Sequence, residues 1–350
     1  MHLLKGRERI YTFKKAMPEL RVACVFQAEV YRSDGTIRYK GPKFNNTILD
    51  VGLDRMFNDS RAWNAITQRC NVGTGTTSPS TGQTGLHTYV ANTNTVYSAS
   101  WGRQQDAPMH VWYERTFAFA IGFCADNTNL TEIGLSFAAN AQYFNRQLFR
   151  DEENNPTTIT VHSDEGLRVS ATLYIYFDMA FEESIQSSFD LTLPDSTIQT
   201  VTFNKINNAH LENNAGFLSN FSGPDNIRAY QFNPRQTRIG LKQSSTVHTA
   251  GNVLSMRCDG GTSHTNPRGV SFEEYTSGSF NAKGTVTWPP GVFDYDANAE
   301  AKIYWAILGR YRNAYASQAY YIIDLVEPIT VRDVDELVLN IETSWGRYTP

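Results

Sequence analysis

The sequence predicts an all-β protein, built as two tandem β-sandwich domains over residues 1–180 and 181–350, with one short helix in the first. Three observations predict it. Apolar and polar residues alternate at the period of a half-buried strand, and clusters of Gly, Asn, Ser, Thr and Pro punctuate short apolar runs. A pattern in the first half also returns 170 residues later in the second.

Val22 to Tyr31 reads as a strand, with apolar or small residues at even positions and Gln27 and Glu29 facing the other way. Asp34-Gly35 supplies a two-residue hairpin turn, since both residues tolerate positive φ, and Thr36–Tyr39 returns as the partner strand. Thr47 is placed to cap a helix whose stripe is Leu49, Leu53, Met56 and Phe57; Gly52 inside it costs about 1 kcal/mol relative to Ala and predicts a closely packed backbone. Leu167 to Phe177 alternates over eleven residues and is the clearest strand. Ile159-Thr160-Val161 with Glu165, Leu167 and Val169 reappears as Ile329-Thr330-Val331 with Asp335, Leu337 and Leu339, and the same offset sets Ile133-Gly134-Leu135 against Ile303-Tyr304-Trp305. Two hits at one offset predict a duplication with a boundary near 180, followed by the polar connection Glu182–Ser188.

Composition limits the function classes. Hydrophobic residues make up 41% and charged residues 19%, so uncharged polar residues fill the difference and a charge-driven disordered chain is excluded. No window approaches the roughly 18 apolar residues of a membrane span, which predicts a soluble protein made in the cytoplasm. The net charge of −4 is spread along the chain without a basic stripe, so no nucleic-acid partner is expected. Cys24, Cys70, Cys124 and Cys258 are too far apart for a local zinc knuckle and read as buried free thiols.

The motifs resolve toward structure. Val72–Leu86, rich in Gly, Ser and Thr, lacks the lysine of a phosphate-binding loop and reads as a polar loop whose glycines let the backbone turn. Asp294-Tyr295-Asp296-Ala297-Asn298 opens like a calcium loop, but Ala299 and Trp305 stand where glycine and a bidentate carboxylate are needed, leaving an acidic turn. His264, five residues after Asp259, is the one histidine worth inspecting as a ligand, with nothing expected there. No nucleophile elbow, HExxH helix or defined carboxylate pair appears, so neither catalytic residues nor a metal or cofactor are expected. Trp101, Trp112 and Tyr113 are candidates for exposed rings that stack on a glycan or anchor a subunit contact. Arg outnumbers Lys 22 to 9, which favours the subunit contact. Lys5, Arg7, Arg9, Lys14 and Lys15 make the N-terminal segment basic, either a docking arm for an acidic neighbour or edge-strand lysines.

Five segments stand in a telling order: Asn46–Asp54 (NTILDVGLD), Val72–Pro79 (VGTGTTSP), Thr131–Leu135 (TEIGL), Arg146–Arg150 (RQLFR) and Glu165–Val169 (EGLRV). Over about residues 20–180 the set resembles the structural proteins of tailed bacteriophages, in particular β-rich tail-fibre, baseplate and collar components. The resemblance implies a virion protein, made in the host cytoplasm, that assembles as a homo-oligomer, joins other virion proteins and serves attachment to a bacterial surface. It brings no catalytic residues. The second half has neither a repetitive shaft nor a receptor-binding tip, which favours a collar, baseplate or fibre-adaptor over a distal fibre. A capsid decoration or head-fibre protein and a host-glycan-binding module stay open as alternatives.

Overall fold

A computed structural model describes residues 10–16, 20–58, 67–104, 110–125, 127–177, 186–192, 198–206, 237–242, 268–269, 271–293, 296–312 and 316–348. These form strands and one helix. In the first half they are β1 (Ile10–Ala16), β2 (Leu20–Arg32), β3 (Ile37–Lys40), β4 (Phe44–Asn45), β5 (Thr47–Ile48), α1 (Asp50–Asn58), β6 (Arg69–Gly73), β7 (Tyr89–Thr93), β8 (Val96–Gln104), β9 (His110–Phe119), β10 (Thr128–Leu130), β11 (Glu132–Ala138), β12 (Ala141–Tyr143), β13 (Asn145–Leu148), β14 (Ile159–Val161) and β15 (Glu165–Phe177). The second half adds β16 (Gln186–Thr192), β17 (Ile198–Ile206), β18 (Thr237–Lys242), β19 (Arg268–Gly269), β20 (Ser271–Phe272), β21 (Asn281–Trp288), β22 (Glu300–Arg312), β23 (Ala316–Arg332) and β24 (Glu336–Arg347). The all-β class is therefore as the alternation predicts.

The alternating runs bury the faces their periods assign. Val22, Cys24, Phe26, Ala28 and Val30 of β2 and Leu167, Val169, Ala171, Leu173 and Ile175 of β15 are buried, as are Ile133 and Leu135 of β11, Cys70 and Val72 of β6, and Leu53 and Met56 of α1. All belong to one cluster, so the large sheet packs on the small sheet β5-β13-β11-β6-β7 with α1 in the same core. Each large side chain so buried contributes about 1.5–3 kcal/mol. A further buried group joins Val286, Trp288, Ala301, Ile303, Ile329, Val331, Leu337, Leu339 and Ile341 from β21 to β24. β24 serves both, since its Trp345 belongs to the first core.

One sheet crosses the middle of the sequence. Its order runs β19-β18-β22-β23-β17-β16-β1-β24-β2-β15-β9-β8. β24 lies parallel to β1 (Ile10 opposite Glu336 through Ala16 opposite Glu342) and then to β2 (Leu20 opposite Trp345), so β1 and the start of β2 share a single edge of β24. Trp345 Nε1 donates to the Leu53 carbonyl at 2.9 Å, Arg347 Nε donates to the Ile48 carbonyl at 2.7 Å, and the Arg347 guanidinium pairs with Asp50. The boundary expected near 180 falls among residues outside the described set. Gln186, Ser187 and Ser188, expected in a connection, begin β16 instead.

The 170-residue echo has a structural counterpart. β15 pairs antiparallel with β9, Leu167 opposite Phe119 and Val169 opposite Phe117. β24 pairs with β21 in the same register, Leu337 opposite Trp288 and Leu339 opposite Val286. Before each long strand stands a tight turn: Glu165 Oε2 accepts the His162 N–H at 3.1 Å, and Asp335 Oδ2 accepts the Arg332 N–H at 2.9 Å. Both carboxylates are buried and arginine-paired, Glu165 with Arg38 and Asp335 with Arg332. By strand pairing, Leu130 of β10 lies opposite Ile159 as Ile303 lies opposite Ile329, so in register Ile303 aligns with Leu130 rather than with Ile133.

Of three local expectations, two shift and one holds. Thr47 does not cap the helix: it lies in β5 opposite Arg146, and α1 starts at Asp50. Gly52 meets its expectation, because a Cβ there would stand 2.3 Å from the Phe144 carbonyl oxygen. The hairpin loop has three residues, closed by the Arg32 N–H bonding to the Thr36 carbonyl, with Gly35 at φ 84° and a bulge between Val30 and Tyr31.

Candidate functional site

The Gly-rich loop is a clamp around one carboxylate. Glu132, at the start of β11, is fully buried; its Oε1 accepts the N–H groups of Gly75 (2.9 Å) and Thr88 (2.7 Å), and its Oε2 accepts the His87 N–H (2.9 Å) and Arg146 Nε (2.8 Å). Arg146, equally buried on β13, donates on to Gln83 Oε1 at 2.6 Å and the Thr77 carbonyl at 2.8 Å. Burial pushes the Glu132 pKa up, but the Thr88 and His87 N–H groups and Arg146 outweigh it and hold the carboxyl below its ordinary value. A Cβ at Gly75 would stand 2.3 Å from Glu132 Oε1, so this glycine serves close approach to the carboxylate rather than a turn. Asp50 N–H donates to the Thr81 carbonyl and Leu49 N–H to that of Phe144, which ties α1 to the same loop and sheet. Four of the five segments in the characteristic order thus meet in one assembly.

The outer face of β9 and β15 carries an aromatic strip. Tyr174 lies opposite Trp112, and Tyr176 opposite His110. His110 stands 5.4 Å from Tyr174 and 4.9 Å from Tyr176 between ring centroids, and Tyr348 stacks on Tyr176 at 3.6 Å and 11°. Burial, reinforced by Tyr348 and Tyr174, pushes the Tyr176 phenol up to about 12. Trp112 is half-buried and lies against Gly102 of β8, where an added Cβ would stand 2.4 Å from the indole.

This placement divides the expected trio. Tyr113 is buried, because its strand position faces the core opposite Leu173, and Arg115 Nε donates to its hydroxyl at 2.9 Å. It therefore presents no exposed ring, a correction that follows from neighbouring strand residues pointing to opposite faces. The Trp101 backbone pairs with Tyr113 in β8, while its side chain lies outside the described residues. Tyr174, Tyr176 and Tyr348 were missed. The signal was Tyr at alternate positions on the polar face of the clearest strand.

At the end of the strip, Tyr174 lines an open cleft of about 630 Å³. One wall is Lys43 and Asn45 beside β4; the other is the turn holding Asp151, Glu152 and Asn154 between β13 and β14. That turn is braced: Asp151 Oδ1 accepts the N–H groups of Glu153 (3.1 Å) and Asn155 (2.8 Å), and Asn154 has φ 63°. Gln147 joins the walls, donating to the Asn45 carbonyl at 3.0 Å and accepting from Arg150 at 3.1 Å. Asp151 and Glu152 give the cleft a negative side; burial, with these two carboxylates, also pushes the Tyr39 phenol up.

The remaining expectations place as follows. Lys14 and Lys15 lie in β1, opposite Asn340 and Ile341 of β24, so that part of the expected arm is an internal strand rather than a free segment; Lys5, Arg7 and Arg9 lie outside the described residues. Cys24 and Cys70 are buried free thiols, and burial raises Cys24 to about 12; Cys124 is half-buried, and Cys258 lies outside the described residues. Asp296 accepts the N–H groups of Asn298 (2.8 Å) and Glu300 (3.0 Å), the bonding of a plain acidic turn; Asp294 and Tyr295, like Asp259 and His264, lie outside the described residues. Among the described residues no group of three His, Cys, Asp or Glu is placed to hold a metal ion, and no helix is long and apolar enough to cross a membrane. Comparison with protein families, with curated proteins and with solved structures finds no match to the chain.

Proposed function

We propose that this chain is a non-enzymatic structural subunit of a tailed-phage particle, a collar, baseplate or fibre-adaptor component of the tail that self-assembles and docks other virion proteins. The observation that carries the reading is the convergence of the motif segments: Asn46–Asp54, Val72–Pro79, Thr131–Leu135 and Arg146–Arg150 build one clamp, in which Glu132 and Arg146 are spent on holding a long polar loop in shape. A loop so braced is a fixed surface feature on a rigid sheet, which suits a subunit that recognises neighbours by shape.

Self-association is assigned to β8. Among the described strands it pairs only with β9, it is exposed from Val96 to Ser100, and it carries no charged residue from Val96 to Gly102. Natural edge strands of such length are usually blunted by charge, proline or bulges; β8 has one register shift, between Val96 and Ser98, and beyond it a run without charge or proline that is open to pairing with a second chain.

Electron microscopy of intact particles labelled with an antibody against this protein tests the reading. Label at the neck or tail is the expected result; label over the head would replace it with a capsid decoration protein, and particles without label would overturn it. Light scattering tests self-association separately. An oligomeric mass that falls on Ser98→Lys is expected, and a monomeric mass at micromolar concentration counts against pairing through β8.

A further inference from the structure

We propose that the cleft between β4 and the 151–154 turn binds a neutral glycan, one pyranose ring lying on Tyr174 and the chain running across the strands toward Trp112. The cavity's size, about 630 Å³, falls in the range of about 300–1,000 Å³ seen for small-ligand sites. Its chemistry is that of a polyol receptor. Tyr174 offers an aromatic face, while Asn45 and Asn154 present amides that both donate and accept, Asp151 and Glu152 present acceptors, and Lys43 presents a donor. Hydroxyls that each donate and accept around a ring with apolar faces match that mixture; a hydrophobic peptide would leave the polar rim unpaired.

Charge selects within the class. Two carboxylates face one ammonium, so an acidic polysaccharide meets a net negative wall. The site is also preorganised, since Gln147 ties both walls and Asp151 braces the turn from within, which lowers the ordering cost of binding. Tyr174 and Trp112 are opposite one another on β15 and β9, and cross-strand neighbours stand about 4.5–5.5 Å apart at Cβ. Trp112 therefore provides the next ring for a chain leaving the cleft. This inference does not depend on the chain's place in a particle.

The test uses the 350-residue chain with maltohexaose, cellohexaose, hexa-N-acetylchitohexaose and mannohexaose as neutral probes and polygalacturonate as the acidic one, read by calorimetry and intrinsic fluorescence. At least one neutral hexamer is expected to bind with a Kd below about 1 mM. Tyr174→Ala should weaken it at least about tenfold, a loss of about 1.4 kcal/mol. Asn154→Gly, which removes the amide at an exposed position and keeps the positive φ of the turn, should weaken it several-fold, and Trp112→Ala should weaken the hexamer more than the corresponding disaccharide. Absence of binding by every neutral hexamer at about 10 mM, a preference for polygalacturonate, or binding indifferent to both Tyr174→Ala and Asn154→Gly would overturn the proposal.

Discussion

Glu132 shows how much one side chain can organise. Replacing it with Ala leaves the Arg146 guanidinium buried and uncompensated and frees the N–H groups of Gly75, His87 and Thr88, so a loss of about 3–5 kcal/mol is expected in urea unfolding. The pH dependence has a definite sign. Because the folded carboxyl titrates below its ordinary value of 4.5, its contribution is complete above that value and is lost as pH falls through the lower folded pKa. Glu132→Gln should therefore flatten stability against pH below about 4.5, measured as urea midpoints from pH 6 to pH 3. The sequence displayed the loop and Glu132 separately. What it could not display is that the glycines exist to let the carboxylate in, because that contact spans more than fifty residues. Thiol chemistry gives a second residue-scale check: with N-ethylmaleimide at pH 8, Cys24 and Cys70 should stay unlabelled in the native protein and react once it is unfolded.

At the scale of elements, strand periodicity was the legible part. Every alternating run named from β2 and β15 buries the face its period assigns, since a one-residue slip would turn the apolar set to solvent. The helix stripe and the close approach at Gly52 were legible for the same reason; the cap was not, because Thr47 is taken by pairing with Arg146. Gly52→Ala should destabilise by about 1–3 kcal/mol, since the added methyl would meet backbone rather than a movable side chain. The echo was readable where it falls on a tight turn with a buried carboxylate; at Ile133 the strand order differs, because β11, β12 and β13 lie between β10 and β14 whereas β22 and β23 are consecutive. Trp345→Ala should cost about 3–5 kcal/mol, because it removes a fully buried indole and its hydrogen bond to the Leu53 carbonyl in one step. Thermal unfolding followed by tryptophan-independent circular dichroism measures it.

For the whole molecule, the parallel seam that β1 and the start of β2 make with β24 is what no local pattern could announce. Parallel neighbours need a long crossover, and here nearly the whole sequence serves as one. Shortening the chain after Asp335 would remove β24, strip Trp345 from the first core and leave β1, β2 and β21 without their shared partner. Residues 1–335 are accordingly expected to lose cooperative unfolding and the near-ultraviolet signal of packed aromatics, while a variant carrying Glu336→Gln at the outset of the strand keeps both.

The same seam sets a timetable for synthesis. At about 5–20 residues per second, Val22 leaves the ribosome roughly 15–60 s before Arg347, its partner across the seam, so the edge of β2 and the Leu53 carbonyl wait uncovered for that whole interval. Completion of the core that Trp345 joins is therefore held open during translation until β24 emerges. Yield in a cell should depend on holding chaperones and on slow, cool expression more than the finished fold would suggest.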